Sequence, residues 1–289
     1  MMHSLINLPS FIFFDKDLKK LNKLQKIFLL IKGLYFIFVM NLTKGKVFCF
    51  LCNLIYKKNG KIYYSDGKYF KYVNSNKRIY YPNKRIDRVM VDHEKNFKNL
   101  YKTYLLDKIN FEKNDRVIDC GANVGELNFA LSLHKMNIEY IAFEPDNDVY
   151  NCLKLNMSSK DTLINKALSM ENSVKQLFID SDGANTSLVN FGSSDKYEVE
   201  TITLDSLNLK NIKLLKIDAE GYEPEVLKGA KNTLKEIMYI SVDYGNERGT
   251  EEKSTMVDVT NFLYSNNFKL IADSDIRKVG LFRNNKSRV

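Results

Sequence analysis

The sequence contains no tryptophan, which removes one common group for stacking on sugar rings, although 17 tyrosines and 18 phenylalanines can take its place. Cysteine is also scarce. Four cysteines in 289 residues do not build a disulfide framework, and they fit a reducing compartment. Cys49 and Cys52 form a C-x-x-C, but no second pair or histidine cluster accompanies them. We therefore expect buried, inert thiols rather than a structural zinc site.

Acidic residues are few in the first third of the chain. Residues 1–90 carry 18 Lys and Arg against 4 Asp and Glu, a net charge of +14, whereas residues 91–289 carry 26 against 31, a net charge of −5. Such a split favours an anionic partner for the N-terminal region, for example a phospholipid surface, a nucleic acid or a phosphorylated substrate. Compositional drift explains the same split, and the sequence leaves both explanations open.

An apolar run extends from Ile27 to Met40 and is interrupted only by Lys32 and Gly33. Its 14 residues fall short of the roughly 20 that span a bilayer. No small-residue cleavage site follows, which disfavours a secretory signal. Lysines on both sides of the run suit a helix lying on an anionic membrane surface. We favour the alternative, a helix packed against the main domain or within an oligomer, because short apolar runs more often belong to a core.

Residues 61–81 are rich in tyrosine and lysine and have two turn signals, Asp66-Gly67 and Asn74-Ser75-Asn76. The first is a strong hairpin signal, so we predict a small antiparallel sheet whose tyrosines pack on one face. An aromatic and basic surface for nucleic acid is the alternative. A helix is predicted over 94–110. We therefore divide the chain into a basic N-terminal extension, 1–92, and a second domain, 93–289.

From residue 115 onwards, strand-like and helical segments alternate. This order is typical of parallel β-α-β units, so the predicted fold class is α/β with helices on both faces of the sheet. In such folds, ligands bind beyond the carboxyl ends of the strands. The informative residues should therefore directly follow each predicted strand.

The segment "VIDCGANVGE" places Asp119, Gly121, Asn123 and Gly125 after the first of these strands. Glycines permit a tight turn and close approach of the backbone, and the helix that follows directs free N–H groups at the same spot. Glu144 ends the next strand, where a carboxylate can accept hydrogen bonds from ribose hydroxyls. The corner therefore predicts a site for a nucleoside.

Phosphate-binding motifs are missing from this corner. In a G-x-G-x-x-G fingerprint, Asn123 and Glu126 would stand where the second and third glycines belong, and no G-x-x-x-x-G-K occurs. An acidic first helical turn also disfavours a pyrophosphate. The pattern suits a cationic nucleoside with an amino acid tail, which describes S-adenosylmethionine. An NAD(P)-binding Rossmann oxidoreductase and a noncatalytic nucleic-acid-binding protein are the alternatives.

Four segments, "VIDCGANVGE", "AFEPD", "TLDSL" and "LLKIDAEGYEPEVLKGA", together resemble the FkbM family of S-adenosylmethionine-dependent methyltransferases. The similarity covers about residues 95–285, and the last segment is the most distinctive. It implies a class I methyltransferase fold, with a Rossmann-like sheet of seven mostly parallel strands and one antiparallel strand at an edge.

The resemblance also implies site residues. Those placed around the cofactor are Asp119, Gly121, Ala122, Asn123, Gly125, Glu144 and Asp146, with Glu144 on the ribose. Asp218 and Glu220 would lie beside the methyl-transfer centre, although N-capping of the next helix explains their positions without chemistry. A hydroxyl acceptor must lose a proton, and Asp243 is a third candidate base. We assign no metal ligands.

The resemblance favours oxygen methylation of a glycan or a small molecule, as in polysaccharide biosynthesis. An N-P-P-[YF] or D-P-P-[YF] sequence, expected for methylation of nucleic-acid amines, is absent. We therefore expect a cytoplasmic enzyme with no nucleic-acid partner. Its basic, apolar N-terminal segment would suit peripheral contact with an anionic membrane.

Overall fold

The structure of the chain, a computed structural model, describes residues 20–57, 59–180, 186–274 and 277–286. It divides into two compact units, residues 1–96 and 97–289. The functional boundary that we place between residues 92 and 93 stays a prediction.

The first unit begins with two helices, α1 (Lys23–Leu42) and α2 (Gly45–Ile55). A capping box starts α1: the Asn22 side chain accepts from the Gln25 amide at 2.9 Å, and the Gln25 side chain accepts from the Asn22 amide at 3.0 Å. Cys49 and Cys52 are buried in α2 with free thiols. The expectation of buried thiols is confirmed, and burial raises the pKa of both to about 12, which disfavours the reactive thiolate.

A three-stranded antiparallel sheet follows, with β1 (Ile62–Ser65), β2 (Lys68–Tyr72) and β3 (Arg78–Tyr81). Asp66 and Gly67 both have positive φ, 52° and 75°, as the predicted two-residue hairpin requires. The tyrosines do not share one face: Tyr69 and Tyr81 are buried, while Tyr63 and Tyr72 are exposed. That part of the prediction was wrong because neighbouring strand residues point to opposite faces. The short helix α3 (Asp87–Met90) ends this region.

Helix α4 (His93–Thr103) is shorter than the predicted helix, and the rest of that segment is a 3-10 turn over Leu106–Lys108. Between them Leu105 has a left-handed φ of 58°. The Tyr104 carbonyl accepts a hydrogen bond from the Ser241 hydroxyl at 2.8 Å instead of continuing the helical pattern. A distant strand therefore sets the end of this helix, which helical periodicity cannot predict.

The second unit contains the remaining strands, which are, in chain order, β4 (Arg116–Cys120), β5 (Glu139–Phe143), β6 (Thr162–Ile164), β7 (Ala167–Leu168), β8 (Ser173–Phe178), β9 (Lys196–Ile202), β10 (Ile212–Ile217), β11 (Ile237–Asp243), β12 (Asn246–Arg248), β13 (Lys253–Ser254), β14 (Phe268–Asp273) and β15 (Val279–Asn284). Its helices are α5 (Glu126–Leu133), α6 (Asn147–Asn156), α7 (Glu223–Lys228) and α8 (Met256–Ser265).

Seven of these strands form one sheet in the order β14-β15-β11-β10-β4-β5-β6. β15 runs antiparallel to both of its neighbours, and the other pairings are parallel. The predicted seven-stranded, mostly parallel α/β fold is confirmed. The antiparallel strand is not at the edge, however, because β14 lies outside it.

Two segments are shorter than their sequence pattern suggests. Residues 162–169 are divided between β6 and β7, which belong to different sheets, because the Asn165 side chain donates to the Glu144 and Pro145 carbonyls. The helix that follows β10 ends at Lys228. A side chain at Gly229 would lie 1.8 Å from the Ser169 carbonyl oxygen, so close chain packing shapes this end.

Candidate functional site

The glycine corner follows β4 and is tied to both neighbouring strands. The amides of Gly121 and Ala122 donate to the Phe143 carbonyl at 3.1 and 3.0 Å, and the Asp218 amide donates to the Cys120 carbonyl at 3.1 Å. Gly121 has a φ of 71°, and a Cβ there would lie 1.9 Å from the Asp218 carbonyl oxygen. The missing side chain therefore allows β4 and β10 to end side by side. Contact of this glycine with a cofactor stays a prediction.

Gly125 ends the corner with a φ of 89° and precedes α5. A Cβ here would lie 2.4 Å from the Met157 side chain and 2.9 Å from that of Leu153. Glu126 opens the helix and is buried. The sequence of the corner is thus explained by backbone conformation and packing before any ligand is considered.

Glu144 joins the two loops at the ends of β4 and β5. One carboxylate oxygen accepts from the Asn123 amide at 2.8 Å, and the other accepts from the Asp146 amide at 2.9 Å. The side chain is 7% exposed, and burial raises the pKa of Glu144 to about 7 despite these two bonds. A carboxylate has about four acceptor positions, so it keeps capacity for two further donors. This arrangement fits a pair of ribose hydroxyls.

Asp146 caps α6. One of its oxygens accepts from the amides of Asp148 at 2.9 Å and Val149 at 3.0 Å. The N-cap explains its presence in physical terms, since these amides have no partner within the helix.

Asp119 is fully buried and faces Lys216 and Tyr140. The Lys216 ammonium lies 2.9 Å from one carboxylate oxygen, and the Tyr140 hydroxyl donates to the other at 2.5 Å. Lys216 also donates to the Gly121 carbonyl at 2.8 Å. Burial lowers the pKa of Lys216, but Asp119 and Asp218 outweigh it and raise that pKa overall, so the ammonium stays charged. Asp119 thus supports the corner from within the sheet.

Four acidic side chains and one arginine gather at the carboxyl ends of β10 and β11. Arg277 contacts Asp243 through Nε, Glu247 at 3.3 Å and Asp218 at 3.7 Å. Carboxylate oxygens of Asp218, Glu220 and Glu247 lie within 4.8 Å of one another. Asp218, Glu220 and Asp243, each predicted from its place after a strand, therefore share one cluster.

Protonation differs within this acidic cluster. Burial, with the nearby charges of Asp218 and Glu247, raises the pKa of Glu220 to about 10. Burial and Asp218 also raise the pKa of Asp243 to about 8, although Arg277 opposes the rise. The carboxyl groups of Glu220 and Asp243 thus retain protons at neutral pH.

Asp218 has a different environment from the other three carboxyl groups. It accepts a hydrogen bond from the Tyr104 hydroxyl, and the Lys216 ammonium lies 4.0 Å away. Two cations and a hydroxyl donor therefore surround this carboxylate. By spacing alone, Asp218, Glu220 and Glu247 could also bind a divalent cation, and in the described residues the Arg277 guanidinium supplies positive charge beside them.

Five site residues were missed by sequence reasoning: Tyr104, Tyr140, Lys216, Glu247 and Arg277. Lys216 belongs to the quoted segment "LLKIDAEGYEPEVLKGA", but it lies within the strand and not after it. Its contact with Asp119 depends on the strand register that pairs the two positions. Tyr104 and Tyr140 lie in the segments that flank the corner, whereas Glu247 and Arg277 come from segments far from it in the chain.

The sheet and its helices have the fold of the class I methyltransferases. Residues 119–270, just over half of the chain, match the methyltransferase FkbM domain. The chain therefore belongs to the FkbM methyltransferase family, which confirms the resemblance.

Individual relatives are distant. Methyltransferase sdnD of Sordaria araneosa is 25% identical over 173 residues, which cover 46% of this chain and 67% of that protein. Methyltransferase FkbM of Methylobacillus flagellatus KT has a TM-score of 0.44 and 18% identity over 68% of this chain. TrmK of M. capricolum, solved with S-adenosylhomocysteine, has a TM-score of 0.38 and 13% identity over 65% of this chain and 69% of its own. The chain spans only 56% of the length of the M. flagellatus protein.

Proposed function

We propose that this methyltransferase takes its methyl group from S-adenosylmethionine and transfers it to a hydroxyl oxygen of a glycan or small molecule. The observation that carries the proposal is the Glu144 carboxylate, buried between the two loops with acceptor capacity to spare. A free ribose diol supplies the two donors that such a group lacks. The carboxylates nearby also suit a cationic ligand and oppose a pyrophosphate.

The proposed cofactor contacts lie along the corner, from Gly121 and Ala122 through Asn123 to Gly125, with Asp146 at its far side. Asp119 acts indirectly in this proposal, because both of its oxygens already have partners. S-adenosylmethionine, when bound, supplies an electrophilic methyl group on a sulfonium. The chain then needs only to orient an acceptor, exclude water and accept one proton.

Asp218 is the proposed proton acceptor. Glu220, with a pKa of about 10, already carries a proton at neutral pH, and Asp243 is paired with Arg277. Asp218 lies at the end of β10 with Tyr104 and Arg277 on its oxygens, so its orientation is fixed. Four free cysteines fit the proposed cytoplasmic location.

Calorimetry with S-adenosylhomocysteine and with NAD tests the cofactor. We expect binding of the first only, weakened about tenfold to a hundredfold by Glu144→Gln, in line with about 1.5–3 kcal/mol for hydrogen bonds to a charged group. Glu112→Gln, an exposed change in the same unit, is the matched control. Binding of NAD instead, or an unaltered affinity in Glu144→Gln, would contradict the proposal.

A labelled-methyl assay then tests the acceptor. Cell lysate from the source is separated into lipid, glycan and small-molecule pools, and each is incubated with the protein and labelled S-adenosylmethionine. We expect label in a hydroxyl of the glycan or small-molecule pool. Label that is confined to amines or to nucleic acid would refute oxygen methylation while leaving the cofactor assignment intact.

A further inference from the structure

One face of the two N-terminal helices is apolar and exposed to solvent. On α1 it comprises Leu24, Phe28, Ile31, Leu34, Phe38 and Leu42, which are between 54% and 77% exposed. Their spacing of three and four residues places them on one side of the helix. Val47, Phe50 and Leu54 of α2 are 57–63% exposed. We call these nine side chains the outer face.

The outer face is separate from the face that packs. Leu29, Phe36 and Val39 of α1 are at most 2% exposed, and Phe48 and Cys52 of α2 are fully buried. These inner residues already bury one side of each helix. The nine exposed side chains of the outer face are grouped on these two helices. Soluble proteins usually expose such side chains singly, so a group of this size indicates an interaction surface.

Charge identifies the partner. Residues 20–57 contain seven lysines and no aspartate or glutamate. Lys20 and Lys23 are exposed at the start of α1, and Lys44 and Lys46 are exposed just after its end. Exposed cations thus lie near both ends of the apolar face. Anionic headgroups would pair with them, whereas a second copy of the chain would bring the same positive charge.

The geometry also distinguishes lying on a bilayer from crossing it. α1 has 20 residues and a mean hydropathy of 1.5, so it meets the length and composition of a membrane-spanning helix. Only one side of α1 forms the exposed apolar face, however, because its other side packs within the unit. The Tyr56 hydroxyl donates to the Lys32 carbonyl at 2.6 Å, and the Tyr35 hydroxyl donates to the Leu51 carbonyl at 3.1 Å. A one-sided apolar surface with lysines near both ends fits a helix pair in the plane of the interface.

We propose that the outer face of α1 and α2 docks on an anionic phospholipid bilayer, with both helices lying along its surface. The apolar side chains enter the boundary between headgroups and acyl chains, and the exposed lysines contact lipid phosphates. This inference does not depend on the identity of the methyl acceptor.

Flotation of the full chain with vesicles tests the docking. Vesicles of phosphatidylcholine alone are compared with vesicles that contain about a third phosphatidylglycerol. We expect flotation mainly with the second kind, and release of most of the protein at high salt. Changing Lys20, Lys23, Lys44 and Lys46 to Gln should weaken binding about fivefold per residue, since each nearby lysine contributes about 1 kcal/mol. The control changes Lys228, Lys231 and Lys235, which are exposed in the other unit.

A second variant removes apolar contact. Phe28→Glu, Phe38→Glu and Phe50→Glu together should abolish flotation, because each lost phenylalanine alone weakens partitioning about tenfold or more. Leu155→Glu, Val174→Glu and Val257→Glu change side chains of similar exposure, 53–68%, and should float like the unaltered protein. Unchanged circular dichroism and S-adenosylhomocysteine affinity would show that the outer-face variant still folds.

Three results would overturn the proposal. Equal flotation of the outer-face variant and the unaltered protein would show that another surface binds. Protein that resists both high salt and alkaline carbonate would indicate a spanning helix. Absence of flotation, together with a dimer by sedimentation that the outer-face variant loses, would assign this face to a second copy of the chain.

Discussion

Replacing Lys216 with methionine should destabilise the second unit more than any change of a surface lysine. The ammonium lies 2.9 Å from Asp119, donates to the Gly121 carbonyl at 2.8 Å, and belongs to a side chain that is 5% exposed. Methionine keeps most of the volume but leaves a buried carboxylate with Tyr140 as its remaining partner. Breaking a buried pair from one side costs about 3–5 kcal/mol.

Urea unfolding and thermal melting measure this cost. A loss of about 3–5 kcal/mol corresponds to a fall in melting temperature of about 6–20 °C for a unit of this size. Because the chain has two compact units, hydrogen exchange of β4 and β10 peptides should be followed in parallel to assign the change to the sheet. Lys210→Met is the control, since the Lys210 side chain is 59% exposed and its ion pair with Glu236 should contribute under about 1 kcal/mol.

A double-mutant cycle separates the ion pair from the rest. Asp119→Asn removes the stranded charge, so the double variant should recover part of the stability, with a coupling energy of at least about 1.5 kcal/mol. A cost below about 1 kcal/mol for Lys216→Met, or a coupling energy near zero, would refute the reasoning that this pair holds the glycine corner.

Three further predictions concern the corner and the acidic cluster. Gly121→Ala should prevent stable folding of the second unit or cost well over about 3 kcal/mol in urea unfolding, because its Cβ would lie 1.9 Å from the Asp218 carbonyl oxygen. The control, Gly192→Ala, has a φ of 99° but no atom nearer than 3.7 Å to the new Cβ, so it should cost about 1–2 kcal/mol. In methyl-transfer assays Asp218→Asn should lower kcat about a hundredfold to ten-thousandfold with unaltered cofactor affinity. The kcat of Glu220→Gln should stay within about fivefold of the unaltered protein, because the Glu220 carboxyl is already protonated. Equal losses of kcat would contradict the assignment of Asp218 as the proton acceptor. The pKa of Glu144 is raised to about 7, so its contribution to stability is complete below the unfolded pKa of about 4.5 and is lost as pH rises towards 7. Glu144→Gln should therefore reduce the measured fall in stability between these two pH values by about 3 kcal/mol. An unchanged slope would show that the carboxyl is not protonated in the folded state.

The sheet of the second unit was largely predictable because its strands are short, apolar and separated by helices. Parallel topology also follows from that order, and with it the meeting of the acidic strand ends. The prediction of an antiparallel strand at the edge of the sheet was wrong, because β15 lies between β11 and β14. That position depends on which edge of the sheet β14 and β15 pair with. Sequence periodicity contains no such information.

The site was predictable only in part, for a similar reason. Residues directly after strands, such as Glu144 and Asp218, can be found from the pattern alone. Arg277 cannot, since it precedes β15 and reaches the acidic cluster only through the antiparallel return of that strand. Asp119 matched the expected position, but its direction into the sheet towards Lys216 depends on strand register.

The contacts of Tyr104 have a consequence for the order of assembly. This residue precedes the sheet, yet its hydroxyl bonds Asp218, 114 positions later, and its carbonyl accepts from Ser241, 137 positions later. Contacts of such separation form late, since a long stretch of chain must be ordered before they stabilise anything. During synthesis, Tyr104 therefore cannot make these two contacts until β10 and β11 have been made. A fragment that begins at the family-matched region, residue 119, would lack this tyrosine altogether and leave Asp218 without its hydroxyl donor.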